Sequence, residues 1–178
     1  PSFPYRLSHT LVASGLTVAF LVAGLSAYRW RRGETAGDAA LTLRMGVRLA
    51  AVLIPLQILL GDLHGLNTLE HQPAKIAAME AVWQTERGAP LRIGGIPDAE
   101  AAVTRWAIEI PKGLSLLAFH DPDAEVKGLL DFPRDRWPNV RNVHLAFQVM
   151  VGLGTAMAAL SLLGAVLWWR GRRVPSQR

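Results

Sequence analysis

Two runs of this chain contain no Asp, Glu, Lys or Arg: His9–Tyr28 (HTLVASGLTVAFLVAGLSAY) and Val143–Trp169 (VHLAFQVMVGLGTAMAALSLLGAVLWW). Each exceeds the roughly 18–20 residues that a helix rising about 1.5 Å per residue needs to cross a bilayer core. A third run, Leu49–Gly61 (LAAVLIPLQILLG), is shorter, and it reaches back to Leu41 if Arg44 and Arg48 snorkel to the headgroups. The expected fold is therefore all-α integral membrane. It has three transmembrane helices at about 9–28, 42–61 and within 142–178, and a mixed, mostly irregular external loop at 62–141.

The first run does not read as a signal peptide, because no basic flank precedes it and arginines, not a small-residue cleavage site, follow it. The sequence begins at Pro1, so a piece of a longer protein is expected.

Charge sets the orientation. Arg29, Arg31, Arg32, Arg44 and Arg48 cluster between the first two runs, and Arg170, Arg172 and Arg173 follow the last. The positive-inside rule makes both clusters cytoplasmic and leaves 62–141 outside. Residues 62–140 hold twelve of the fourteen acidic residues and eight of the nineteen basic ones, a net −4 against +9 for the remainder. The sequence pI near 10.4 is thus a topology signal. No nucleic-acid partner is expected, since the positive charge sits at helix ends and not on one surface. The absence of cysteine excludes disulfides, thiolate metal sites and iron–sulfur clusters.

Within the external loop, Pro73 suits the first position of a helix running to about Glu86, with Ile76, Met79 and Trp83 as its apolar stripe. Lys75 and Glu80 would then stand about 140° apart around an ideal helix, so they approach a shared ligand from different sides. Turn signals occur at Gly94-Gly95 and Pro97-Asp98, and WAIEIP (106–111) alternates like a strand. The Pro- and Asp-rich stretch HDPDAEVKGLLDFPRDRWP reads as an irregular, packed connection.

Five histidines occur, at 9, 64, 71, 120 and 144, and His9 and His144 both fall at the outer ends of apolar runs. Met150 lies roughly 9 Å deeper than His144 along the axis. A histidine and a methionine on facing helices can clamp a heme iron as a low-spin, electron-transferring centre. Small residues in both runs leave room for a porphyrin, although such residues more often serve close helix packing. The plainer alternatives are interfacial histidines, a packing methionine, and Lys75 and Glu80 as solvated surface. On these grounds His144 is as good a ligand as His9, and the reading stops at a three-helix membrane segment with an acidic, heme- or ligand-binding outer region.

The stretch GDLHGLNTLEHQPAKIAAMEAVW (61–83) resembles the start of the quinol-binding loop in subunit I of cytochrome bd-type ubiquinol oxidases. The family pattern is a Gly-Asp after a membrane helix, then Gln-Pro-x-Lys-x-Ala-Ala-x-Glu; here it falls on Gly61, Asp62, Gln72, Pro73, Lys75, Ala77, Ala78 and Glu80. SHTLVASG (8–15) resembles the family helix whose histidine is an axial ligand of low-spin heme b, which maps onto His9. FQVMVGLG (147–154) resembles the helix that supplies the methionine ligand, which maps onto Met150. DAEVKGLLDFP and RWPNV resemble the end of the intervening loop.

The resemblance covers essentially the whole chain and implies the cofactor and sites. His9 and Met150 would be the axial ligands of low-spin heme b (b558-type), and His144 would not. Lys75 and Glu80 would bind and oxidise quinol. The implied activity is that of a quinol:oxygen oxidoreductase, electrogenic without pumping, in the bacterial cytoplasmic (inner) membrane, with residues 62–141 on the periplasmic side. High-spin heme b and heme d are implied only for the complete, usually nine-helix subunit, of which this chain resembles a central portion that would be inactive alone. The remaining helices of subunit I, subunit II, quinol and the lipid bilayer are the implied partners. Two departures stand out: Gln148 where many relatives carry arginine, and a short loop like that of the cyanide-insensitive branch. The alternatives are a non-catalytic membrane heme- or quinone-binding module (a truncated relative) and a transporter fragment in which His9 and Met150 merely pack.

Overall fold

Pro4 sits in the first turn of helix α1 (Phe3–Arg31), where its missing N–H costs nothing, and Arg29 and Arg31 lie in the last turn, where positive charge suits the carbonyl end. The computed structural model describes residues 2–34 and 38–170, apart from the side chain of Trp168. Arg172 and Arg173 of the expected basic tail lie outside the described residues. Helix α2 spans Asp38–His71, α3 Pro73–Met79, α4 Gly113–Phe119 and α5 Val140–Trp169. Three helices are long and apolar enough to cross a membrane, within Phe3–Arg31, Asp38–His71 and Arg134–Leu167. The protein is thus mostly helical with three candidate spans, as the charge-free runs require.

Helix α2 continues ten residues beyond the apolar run that signals it. Hydropathy falls at Asp62, but backbone hydrogen bonding does not depend on it. The helix stops at His71 because Pro73 disfavours the helical conformation in the residue before it, and Gln72 has φ −140°.

The chain divides into two compact units, one of residues 1–64 with 154–178 and one of residues 65–153. In the first unit Leu16 and Ala19 of α1 pack on Ala50 and Ile54 of α2, joined by Met157 and Ala158 of α5. A Cβ on Gly46 would stand 2.7 Å from the Ala19 carbonyl oxygen, so the close approach of α1 and α2 requires that glycine. Ser26 and Thr42 hydrogen-bond across the same pair of helices at 2.7 Å. Most large apolar side chains of these helices face outward, Leu11 and Val52 among them. A helix surrounded by acyl chains buries such residues in lipid.

The second unit holds the expected loop, and it is more ordered than its sequence suggests. Strands β2 (Leu91–Asp98) and β3 (Val103–Ile110) form an antiparallel hairpin, and β1 (Glu86–Arg87) pairs with β4 (Glu125–Val126). The strand expected at 106–111 is the second half of β3. Gly94-Gly95 is not a turn: the ladder pairs Gly94 with Ala107 and Ile96 with Arg105, skipping Gly95 and Trp106. Both skipped residues have positive φ, 90° and 58°, the mark of an irregularity inside a ladder. The hairpin turn follows Asp98, whose carboxylate accepts from the N–H groups of Glu100 and Ala101.

Two small cores hold the unit together. Ala77, Ala78, Trp83, Leu129 and Val140 form one; Val82, Ala89, Leu114 and Val126 form the other. Backbone bonds from Leu129 N–H to the Val82 carbonyl and from Leu130 N–H to the Trp83 carbonyl fix the two against each other.

Candidate functional site

Helix α3 ends at Met79, seven residues short of the expected Glu86. The N–H of Val82 bonds back to the Ala77 carbonyl and that of Ala81 to the Ala78 carbonyl, a Schellman closure with Ala81 left-handed at φ 51°. That position usually announces itself as glycine; here tertiary contacts impose it on alanine. The Ala81 carbonyl accepts from Thr104 Oγ1 at 3.3 Å, and Thr104 accepts from the Trp83 indole N–H at 2.9 Å. Trp83 is therefore a core residue beyond the helix and not part of its stripe.

The early stop makes Glu80 the C-cap residue and turns its side chain inward. Glu80 is 6% exposed, and its Oε2 is buried without a hydrogen-bond partner among the described residues. Burial pushes its carboxyl up to about 7, with the positive charge of Arg92 acting in the opposite direction. Arg92, on β2, also pairs with Glu109 at 2.9 Å and Glu86 at 3.5 Å. Lys75 lies one turn earlier on α3, half-buried. Among the described residues the cation acting on Glu80 is thus Arg92, a residue that no pattern in the sequence singles out.

His144 and Gln148 sit one turn apart on α5 and both face this region. His144 is fully buried, with Nδ1 2.8 Å from the Met79 carbonyl oxygen and Nε2 3.0 Å from that of Gly94. Gln148 donates to the Arg92 carbonyl and accepts from the Gly94 N–H, both at 3.0 Å. Two turns beyond His144, Met150 leaves α5 with its side chain 53% exposed. Gly152 and Gly154 follow it, and a Cβ on either would meet nothing within 4 Å.

His9 belongs to the first unit. Its ring is half-buried against α2, where Gln57 Nε2 lies 3.2 Å from Nδ1 and 3.0 Å from Nε2. The ring of His64 stands 5.8 Å away, tilted by 55°. A Cβ on Gly61 would come within 3.3 Å of His9 Cε1. Gln57 Oε1 is buried with no hydrogen-bond partner among the described residues. Turning that amide over would place Oε1 on the ring, where it can accept an N–H. Gln57, Gly61 and His64 follow one another at four- and three-residue steps, one face of α2. That polar interruption of an apolar run is a signal in the sequence that could have marked the face.

The structure thus gathers Glu80, Arg92, His144 and Gln148 in one unit with Lys75 and Met150, and sets His9 among Gln57, Gly61 and His64 in the other. An imidazole and an exposed thioether are each side chains of a type that can ligate a heme iron.

Comparison with known proteins gives a family. The model for cytochrome bd terminal oxidase subunit I matches residues 1–176. A Bacillus subtilis (strain 168) protein, named provisionally as subunit I of a cytochrome bd menaquinol oxidase, is 37% identical over 174 residues, 96% of this chain and 39% of that protein. Subunit 1 of the Escherichia coli (strain K12) cytochrome bd-II ubiquinol oxidase is 29% identical over 84% of this chain and 29% of its own length. Among solved structures, the bd oxidase from Geobacillus thermodenitrificans superposes with a TM-score of 0.80 at 34% identity, covering 93% of this chain and 37% of that one. The chain therefore spans well under half the length of these relatives.

Proposed function

Because this chain belongs to the cytochrome bd terminal oxidase subunit I family, we propose that it carries that oxidase's quinol-oxidising site and the ligands of its low-spin heme b. The observation that carries the reading is Glu80: a buried carboxyl with one oxygen unpartnered and a proton affinity near neutrality, inside the loop motif that the family resemblance marks. A general base works best when its pKa lies close to the operating pH.

Oxidising a quinol breaks two O–H bonds and releases two protons and two electrons. Glu80 accepts a quinol hydroxyl proton, and burial makes it basic enough to do so at neutral pH. Lys75 donates a hydrogen bond to a quinol oxygen and offsets the charge that develops there. Arg92 lowers the proton affinity of Glu80, which favours release of the proton after it is taken up. His9 and Met150 would hold the heme iron, which supplies one-electron transfer toward the oxygen-reducing hemes of the complete subunit. His9 is kept in orientation by Gln57 and by the space over Gly61.

The complex resides in the bacterial cytoplasmic membrane, with subunit II and the remaining helices of subunit I as partners. Residues 62–141 face the periplasm, so protons released there add to the transmembrane gradient. The arginines between α1 and α2, together with Arg170, support that orientation.

The test is quinol oxidation by the complete two-subunit oxidase carrying Glu80→Gln. Loss of a positioned base lowers the rate by roughly 10²–10⁴-fold. An unchanged rate would sink the assignment.

A further inference from the structure

Two side chains on α5 are used neither by the heme ligation nor by the proton transfer proposed above, yet they are among the most constrained in the second unit. His144 is fully buried and presents each ring nitrogen to a backbone carbonyl, that of Met79 at 2.8 Å and that of Gly94 at 3.0 Å. One turn later, Gln148 bonds to both backbone groups it can reach on β2, donating to the Arg92 carbonyl and accepting from the Gly94 N–H, each at 3.0 Å. A helix face with two polar side chains four residues apart thus reads the backbone of a strand as a neighbouring strand would.

The residues gripped are not arbitrary. Met79 ends α3 and immediately precedes Glu80, and Arg92 carries the cation that acts on the Glu80 carboxyl. Gly94 opens the irregular step of the β2–β3 ladder, where Gly95 and Trp106 drop out of register. Strand β2 is an edge of a two-stranded sheet, so backbone groups on its outer side need partners outside the ladder, and α5 supplies them at Arg92 and Gly94.

We infer that His144 and Gln148 are positioning residues for quinol oxidation: together they fasten the end of α3 and the β2 bulge to α5, and so fix the Glu80 carboxyl relative to Arg92. This rests on the reading of Glu80 as the quinol base. Gln148 stands where many relatives carry arginine, and its amide has a role an arginine could fill only in part, since a guanidinium donates but cannot accept from the Gly94 N–H.

The experiment uses the complete oxidase with His144→Phe, His144→Gln, Gln148→Leu and Glu80→Gln, measuring kcat and KM for quinol and the reduced-minus-oxidised spectrum of the low-spin heme. Phenylalanine roughly keeps the volume of the ring and removes both ring nitrogens; glutamine restores polar atoms to part of the site. The expected result is a kcat at least about tenfold lower in His144→Phe, since a misplacement of about 1 Å can cost a hundredfold. KM should stay within about twofold and the heme spectrum should not change, with His144→Gln recovering part of the rate and Gln148→Leu slower than wild type. Wild-type kcat in both His144→Phe and Gln148→Leu would overturn the inference. So would loss of the heme spectrum in all three α5 variants, which assigns the pair to folding alone. If Glu80→Gln is itself unimpaired, the quinol-base reading falls and takes this one with it. An impaired Glu80→Gln beside normal α5 variants overturns only the positioning role.

Discussion

Gln57 holds its side-chain amide against the ring of His9, 3.2 Å from Nδ1 and 3.0 Å from Nε2, and it does so from the same face of α2 that carries Gly61. A histidine bound to a metal through one nitrogen almost always gives the hydrogen on the other to an acceptor, which fixes the ring and raises its basicity. Gln57 Oε1 is the available acceptor. On the proposed ligation by His9, replacing Gln57 with leucine would remove that acceptor, weaken the electron donation of His9 and favour the reduced iron. The midpoint potential of the low-spin heme should rise by tens of millivolts, roughly 59 mV corresponding to a tenfold change for a one-electron couple. A redox titration of the complete oxidase checks it; an unchanged potential means that Gln57 only packs.

Glu80 makes stability depend on pH in a defined direction. Its carboxyl is raised from an ordinary 4.5 to about 7 by burial, so the folded protein binds a proton that the unfolded chain has already lost. Stability therefore falls as pH rises from 4.5 to 7 and stays reduced above that, by up to about 3 kcal/mol. Glu80→Gln should withstand heating better than wild type at pH 8 and equally well near pH 4.5. Thermal inactivation of the heme spectrum at the two pH values measures this, and an equal difference at both would contradict it.

In the proposed role of quinol base the same carboxyl must be ionised, so kcat/KM for quinol should rise with pH through about 7. Arg92 opposes the effect of burial. In Arg92→Gln that opposition is gone, and the midpoint of the profile should move to higher pH. A shift to lower pH would show that another charge governs Glu80.

Gly128 tests the packing of the loop separately from its chemistry. A Cβ there would fall 2.3 Å from the backbone carbon of Gln84 and 2.4 Å from the Trp83 carbonyl oxygen, atoms that cannot step aside alone. Gly128→Ala should cost on the order of 1–3 kcal/mol or more and expose the loop to protease. Cleavage no faster than in wild type would refute the close approach.

The membrane part of the fold was legible because a bilayer allows so few solutions. A run such as Val143–Trp169, without a charge for 27 residues, has to be a helix, since only a helix satisfies its own backbone in lipid. What the sequence left short was the reach of the helices. Hydropathy ends at Gly61, whereas the hydrogen bonds of α2 continue to His71, where the approach of Pro73 stops them.

The loop was legible as motif and not as geometry. Pro73, Lys75 and Glu80 stand out in the sequence, but the end of α3 does not, because Ala81 takes a left-handed conformation that alanine gives no reason to expect. That stop buries Glu80 and brings it under the charge of Arg92, twelve residues away in the chain. His144 looked like a second candidate for the iron, and the structure instead engages both its nitrogens with backbone carbonyls.

By itself, then, the sequence determined the three apolar helices, their basic flanks and the ordered set of residues that marks the family. Those features are local: they depend on each segment's contact with lipid and on spacing along the chain. Only the tertiary structure decided which ionisable groups are buried, which cation acts on Glu80, and that His144 and Gln148 hold backbone. These depend on contacts between residues eleven to sixty-five positions apart, formed by the closing of α3, β2 and α5 on one another. No local pattern encodes them, because the hydrogen-bond partners are main-chain groups, which every sequence has.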